Sequence, residues 1–307
     1  MGREKWGVVL ANMGGAAFLP QLRQFLYNMF KDPRIVDSPL RHLLAPLLAR
    51  FRAPKVWKNY EKVGGSRIYS ITDSLCRKLS RLGGVEVVMG MRYTDPSIQS
   101  QLRRFERVIL LPLYPHYSVT TTESVLDAVK MAVEKGYRGA VGVVQPFYNN
   151  LRFNRLIADS ILAQMEGEEG EWHLIFSAHG LPVRLVEKYR DPYPVQIEEQ
   201  VAILKGLVGE RFKSVELAYQ SRFGPGEWLR PYLGEVLARF KGERVAIYPI
   251  SFLIDNSETD LELGVEYREE ARKLGLKGYK LLSPPNDSDL FVEFYWELIS
   301  ELKGKLW

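Results

Sequence analysis

HLIFSAHGL, residues 173–181, and GVVLANMGG, residues 7–15, follow one pattern. Each is an apolar run rich in branched side chains that stops at a small or polar residue and then glycine. A strand buried on both faces reads this way, because neither face is left to water. Six more runs behave alike: Val85–Met91, Val108–Pro112, Ala140–Val144, Val215–Tyr219, Val245–Ile250 and, more weakly, Tyr279–Leu282. Turn residues and stretches with helical spacing separate them. Buried strands alternating with helices place the chain in the α/β class, with parallel sheets and helical crossovers.

The halves also match each other in order. VVMGMRY resembles VELAYQSRF, and VILLPLYPHYS resembles VAIYPISFLID. This predicts two similar Rossmann-like domains, each a four-stranded parallel sheet flanked by helices, with a cleft between. The expected division is residues 1–150 and 151–307, joined near residues 147–160, with the C-terminal helix packing back on the first domain. Ligands of such sheets lie beyond the carboxyl ends of the strands. The residues predicted there include Met13, Arg92, Tyr93, Tyr114, His179, Ser221 and Asp255. Their mix of aromatic, Met, Arg, His and carboxylate groups suits a flat, apolar, partly charged ligand.

Composition sets the bounds. The 307 residues are 46% hydrophobic, enough for a substantial core. Cys76 is the single cysteine, which excludes an internal disulfide framework and a Cys-rich metal cluster and fits a reducing cytoplasm. The net charge of +5 is spread without a block of like charges, so nucleic acid is not the expected partner. No uncharged apolar run reaches the roughly 18 residues of a membrane span.

Two features carry chemistry. Glu258, Glu262 and Glu266 are spaced by four in DNSETDLELGVEY and share one helix face. Where such a row is partly buried, mutual repulsion raises pKa values and lets protons be held near neutral pH. Two plainer readings stand beside it. Asp255 with Glu258 resembles a variant capping box, and Glu266 with Glu269 and Glu270 reads as a solvated face. The second feature is His179, which ends a strand just before Gly180 and Pro182. An imidazole there either closes a turn or meets a ligand, where it can accept a proton or bind a divalent metal. No HxH, HExxH or CxxC spacing supports a closed metal site.

Assembled in order, LANMGG, FLYNMFKDPRIVDSP, APKVWKNYEKVGGSRI, MRYTDPSI, LYPHYSVTTT, FSAHGLP, RDPYPVQ, YQSRFGPGEWLRP and PISFLIDNSETDLELGVEY resemble the ferrochelatase family over nearly the whole chain. The resemblance implies insertion of Fe²⁺ into protoporphyrin IX, with iron as substrate and no tightly bound cofactor. It implies that His179 and Glu258 are catalytic and meet the metal. Glu262 and Glu266, with Asp255, would relay protons or metal on a helix with π-type widening. Met13, Arg92, Tyr93, Tyr114, Tyr60 and Ser66 match porphyrin-pocket positions. Alternatives are a coproporphyrin ferrochelatase, a chelatase for another tetrapyrrole metal, and a non-catalytic two-domain tetrapyrrole-binding protein. Two departures matter. Asn256 stands where the family often has a histidine, and the C-terminal cysteines that hold a [2Fe–2S] centre in some members are absent.

PLRHLLAPLLARFRAPKVW, residues 39–57, alternates leucine pairs with arginines and is expected to be broken by Pro46. It reads as a lid, a core-facing helix or a surface that lies on lipid. The resemblance places it at the hydrophobic lip of the pocket. The expected location is cytoplasmic, peripheral on the inner face of the membrane through this segment.

Overall fold

The computed structural model describes residues 5–222 and 226–306. Residues 223–225, inside the YQSRFGPGEWLRP motif, lie outside the described residues. The chain divides into two compact units. One comprises the described residues of Met1–Tyr114, Ser118–Pro146 and Asn286–Trp307; the other comprises those of Pro115–Tyr117 and Phe147–Pro285.

The first unit is built on β1 (Trp6–Asn12), β2 (Val87–Met91), β3 (Arg107–Pro112) and β4 (Ala140–Val143), in the order β2-β1-β3-β4. The second uses β5 (His173–His179), β6 (Ser214–Gln220), β7 (Arg244–Tyr248) and β8 (Gly278–Leu281), in the order β6-β5-β7-β8. Every pairing is parallel. All eight runs read from the sequence are strands, and β1 and β5 are nearly or wholly buried along their length. Helices α1 (Leu19–Lys31), α2 (Arg41–Tyr60), α3 (Ile68–Gly83), α4 (Ile98–Leu102) and α5 (Ser124–Glu134) belong to the first unit. Helices α6 (Leu151–Gln164), α7 (Val183–Tyr189), α8 (Tyr193–Val208), α9 (Leu233–Leu237) and α10 (Tyr267–Leu274) belong to the second, and α11 (Asp289–Leu306) returns to the first.

The repeat extends to single residues. Val8 pairs with Val87 and Ile109, and Leu174 pairs with Val215 and Ala246. Past the strands, Leu113 N–H bonds the carbonyl of Ala11 at 2.8 Å and Ile250 N–H bonds that of Ser177 at 3.1 Å. On this register Met13 corresponds to His179, Arg92 to Gln220, Tyr93 to Ser221, and Tyr114 to Ser251. In each unit the strand order reverses between the first strand and the third. That switch point is where open sheets place ligands. A π-helix follows the third strand in both: Val119–Glu123 after β3 and Glu258–Glu266 after β7.

Helix α2 runs unbroken through Pro46 and Pro54, contrary to the expected break. Proline removes one N–H and frees the carbonyl four residues back. His42 and Arg50, which carry those carbonyls, are exposed, so water can take the bond. The buried face of α2 is Ala45, Ala49 and Ala53, packed with Leu22, Leu26 and Phe30 of α1. Small side chains at intervals of four let two helix backbones approach closely. The bulky residues Leu43, Leu47 and Phe51 are left outward, at 67%, 51% and 74% exposure.

The C-terminal helix is seated through a glycine. A Cβ on Gly83 of α3 would lie 2.1–2.6 Å from the ring carbons of Trp296 on α11. Gly83→Ala is therefore expected to lower stability by about 1–3 kcal/mol through overpacking. Trp296→Leu in the same chain should recover part of that loss. Thermal unfolding of the four combinations checks both outcomes.

Candidate functional site

In the second unit β5 delivers His179 at its carboxyl end, half-buried, and three bonds fix it. Its N–H donates to Ser251 Oγ at 3.0 Å, and its carbonyl accepts from the Tyr193 hydroxyl at 3.0 Å. Ser251 and Tyr193 hydroxyls lie 2.6 Å apart, so Ser251 donating to Tyr193 closes a ring of three bonds. The imidazole Nδ1 is then 2.7 Å from Glu258 Oε2. A carboxylate at Nδ1 holds the proton there and leaves Nε2 as the outward nitrogen.

Glu258 opens the π-helix, and the local sequence explains how. Asn256 Oδ1 accepts from the Glu258 N–H at 2.8 Å, while Thr259 Oγ1 accepts from the Asn256 N–H at 2.9 Å. This reciprocal pair is a capping box on Asn256 and Thr259. The cap expected at Asp255 is therefore corrected by one position; Asp255 is buried just before the helix. The nine-residue π-helix bears out the widening implied by the family resemblance. A wider turn brings residues spaced by four closer to a straight line along the axis.

Ser221 joins the first two acids. It follows β6 with φ +63°, the left-handed region that costs a non-glycine residue roughly 1–3 kcal/mol. From there its N–H donates to Glu262 Oε1 at 2.7 Å. Its hydroxyl reaches Glu262 Oε2 at 2.5 Å and Glu258 Oε2 at 3.2 Å. Glu266, at the far end of the π-helix, is exposed. The row thus runs from a half-buried carboxylate to solvent.

The charges respond to these contacts. Burial disfavours imidazolium at His179, but the Glu258 carboxylate and its hydrogen bond outweigh that, with help from Glu262, and the pKa is raised. Burial likewise opposes ionisation of Glu258, yet His179 and the Ser221 hydroxyl hold its carboxyl below the usual range. Glu262 goes the other way. Burial and the neighbouring Glu258 push it up to about 7, against the two bonds from Ser221. Two carboxyls four residues apart are thereby tuned in opposite directions, an arrangement that separates acid from base.

The other histidines do not share this setting. His116 is buried between Tyr148 and Tyr193, and burial lowers its pKa to about 3, so it stays neutral. His173 starts β5 at the opposite end of the strand, and His42 is on the exposed face of α2.

The residues matched to a porphyrin pocket in the first unit fall in two groups. Met13, Arg92, Tyr93 and Tyr114 gather at the strand ends of the switch point. Tyr60 lies in the α1–α2 cluster with Trp57, and Ser66 donates its N–H to the Ala16 carbonyl at 2.9 Å. Tyr114 packs against the apolar cluster under α5. Tyr93 requires a correction to the sequence reading of its ring as a ligand platform. It is 1% exposed, its ring edge is set against Phe25, and its hydroxyl is 2.9 Å from Asp32 Oδ2. Arg92 is paired with the same oxygen at 2.8 Å, and its Nε donates to the carbonyl and hydroxyl of Ser124 at 2.8 and 2.9 Å.

Sequence reasoning passed over Ser251, Tyr193, Asp32 and Ser124, and gave Ser221 no role of its own. Four of them sit inside the quoted motifs and Ser124 lies two residues past LYPHYSVTTT, but each acts on residues more than 30 positions away. Among the described residues no cluster of three or more His, Cys, Asp and Glu forms a ready metal cage.

A sequence profile described as Ferrochelatase matches residues 5–302. The ferrochelatase of a Nitratiruptor species is 42% identical over 298 residues, covering 93% of this chain and 96% of its own. That of Campylobacter fetus subsp. fetus is 40% identical over 310 residues, covering 96% and 98%. In fold the chain is similar to SirB from Bacillus subtilis with Fe³⁺, at TM-score 0.58 and 10% identity over 97% of this chain and 95% of that one. It is also similar to CbiX, described as the terminal enzyme of siroheme biosynthesis in denitrifying bacteria, at TM-score 0.56 and 14% identity over 97% and 98%.

A carboxyl raised on folding stabilises the folded state only while it is protonated. The Glu262 contribution is present below the unfolded value of 4.5 and is lost as pH rises through about 7. Glu262→Gln mimics the protonated form. Its melting temperature relative to the parent is expected to climb between about pH 5 and about pH 8, as followed by calorimetry. A flat difference would place the Glu262 carboxyl in the ordinary range.

Proposed function

We propose that this chain, which belongs to the ferrochelatase family, inserts Fe²⁺ into protoporphyrin IX with His179 and Glu258 at the reacting centre. It is a metal chelatase of the lyase class, with a porphyrin and ferrous iron as substrates and a role in haem biosynthesis. The observation that carries the assignment of residues is the 2.7 Å contact between His179 Nδ1 and Glu258 Oε2. A protein that only bound a tetrapyrrole would have no need of an imidazole braced by a carboxylate.

Insertion removes two pyrrole protons and exposes nitrogen lone pairs that a flat macrocycle hides. Binding the ring bent toward the reacting shape costs about 1–5 kcal/mol of strain drawn from contacts elsewhere on the substrate. His179 Nε2 accepts a pyrrole proton while Glu258 offsets the imidazolium charge. Its raised pKa makes it the stronger acceptor. Glu262, poised near 7, takes protons onward to exposed Glu266 and solvent. Each turnover releases two protons, so the imidazole must be cleared before the same pair meets the next iron. Met13, Tyr114 and Arg92 are the further residues proposed to contact the porphyrin, Arg92 at a carboxylate.

The outward apolar residues of α2, with Arg41, Arg50 and Arg52 among them, support a peripheral contact with the cytoplasmic membrane face through residues 39–57. No described helix is long and apolar enough to cross a membrane.

Mixing protein, Fe²⁺ and either porphyrin without oxygen, and following the absorption change, should show faster turnover with protoporphyrin. His179→Ala is expected to fold normally and to lose about 10²–10⁴-fold in turnover. Near-parental turnover in that variant would remove His179 from the reaction. Separately, Leu43→Ser with Phe51→Ser should cut sedimentation with anionic liposomes several-fold, on the order of 1 kcal/mol or more of buried apolar surface. Unchanged pelleting would leave α2 without a lipid role.

A further inference from the structure

One stripe of α1, continued by its C-cap residue Asp32, grips the strand end that carries Arg92. Phe25, Asn28 and Asp32 follow one another at helical intervals, and all three touch Tyr93 or Arg92. Phe25 meets the Tyr93 ring edge-on at 6.0 Å, and Asn28 Nδ2 donates to the Tyr93 carbonyl at 2.8 Å. Asp32 Oδ2 accepts from Arg92 Nη2 at 2.8 Å, the Tyr93 hydroxyl at 2.9 Å and Ser124 Oγ at 2.6 Å. Asp32 Oδ1 accepts the Arg34 N–H at 2.8 Å. The Asp32 side chain is 1% exposed and that of Arg92 is 14% exposed.

A buried carboxylate receiving four donors is held in one orientation, and it holds its donors in turn. For Arg92 the consequence is geometric. Guanidinium is a planar fork with five N–H groups. Its Nε side is taken by Ser124 and one Nη by Asp32. Nη1 bonds no described residue and is not among the sealed, unsatisfied atoms. One edge of the fork is consumed inside the protein and the other is presented.

We propose that Asp32 is a positioning residue for substrate recognition: with Ser124 it orients Arg92 so that the Nη1 edge takes one carboxylate of the porphyrin. This rests on the tetrapyrrole reading above and adds to it a discriminating contact. Tyr93 serves as a buried brace in the same assembly. Two of the five Arg92 N–H groups are spent on Asp32 and Ser124, which fixes the plane of the fork and leaves Nη1 as the outward donor for a carboxylate.

The test compares a free-acid porphyrin with its dimethyl ester, which keeps the ring and removes the negative charges. Asp32→Asn should raise KM for the free acid about tenfold, the size of a misplaced charge-assisted hydrogen bond. KM for the ester and for Fe²⁺ should stay within about twofold of the parent. In an Arg92→Gln background, Asp32→Asn should add almost nothing, because the effect passes through Arg92. Equal losses on acid and ester, or additive losses in the double variant, would overturn the proposal and leave Asp32 a packing residue. Should Asp32→Asn not fold, Ser124→Ala, which keeps the ion pair, must shift free-acid KM in the same direction and spare the ester. Parental protein that metallates neither porphyrin refutes the tetrapyrrole reading instead.

Discussion

The 2.7 Å hydrogen bond between His179 and Glu258 joins the end of β5 to the first turn of the π-helix, and the chemistry of the second unit depends on it. It sets which ring nitrogen faces outward. It opposes the desolvation that would otherwise keep the imidazole uncharged, and it keeps Glu258 ionised beside a second acid. With that bond in place, Glu262 becomes the member of the pair that gathers a proton, because its neighbour does not. The surrounding clamps serve the same contact. Ser251 and Tyr193 hold the His179 backbone, while Asn256 and Thr259 fix where the helix starts.

The two units reach different ends from one backbone plan. At matched register positions stand Met13 and His179, Tyr114 and Ser251, and Tyr93 and Ser221. The first unit keeps apolar and aromatic side chains there and buries its charges as the Asp32–Arg92 pair. The second has small hydroxyls and an imidazole, which leave carboxylates half-buried and reactive. A buried ion pair fixes geometry, whereas half-buried acids of like sign store repulsion.

Much of this was legible in the chain. Continuous β-branched runs marked all eight strands, and the order of motifs carried the family and the acidic row. Local rules failed where a residue acts across the fold. Ser221 adopts a left-handed backbone that nothing in QSR announces, since serine takes it here only because two carboxylates wait for its N–H and hydroxyl. Asp32 meets partners 60 and 92 positions away, beyond any periodicity argument. Pro46 suggested a break because proline usually ends a helix, but a proline on a wet face costs little there. Tyr93 looked like a pocket aromatic by its place after β2, and only packing against α1 shows it to be interior.

The alanine stripe of α2 has a colloidal consequence. Because Ala45, Ala49 and Ala53 let the helix lie flat against α1, the packing leaves much of the surface of Leu43, Leu47 and Phe51 outside. That surface is oil facing water, with arginines between to keep it wetted. Exposed apolar surface of this kind favours contact between molecules in dilute buffer, and detergent or ionic strength shifts that balance.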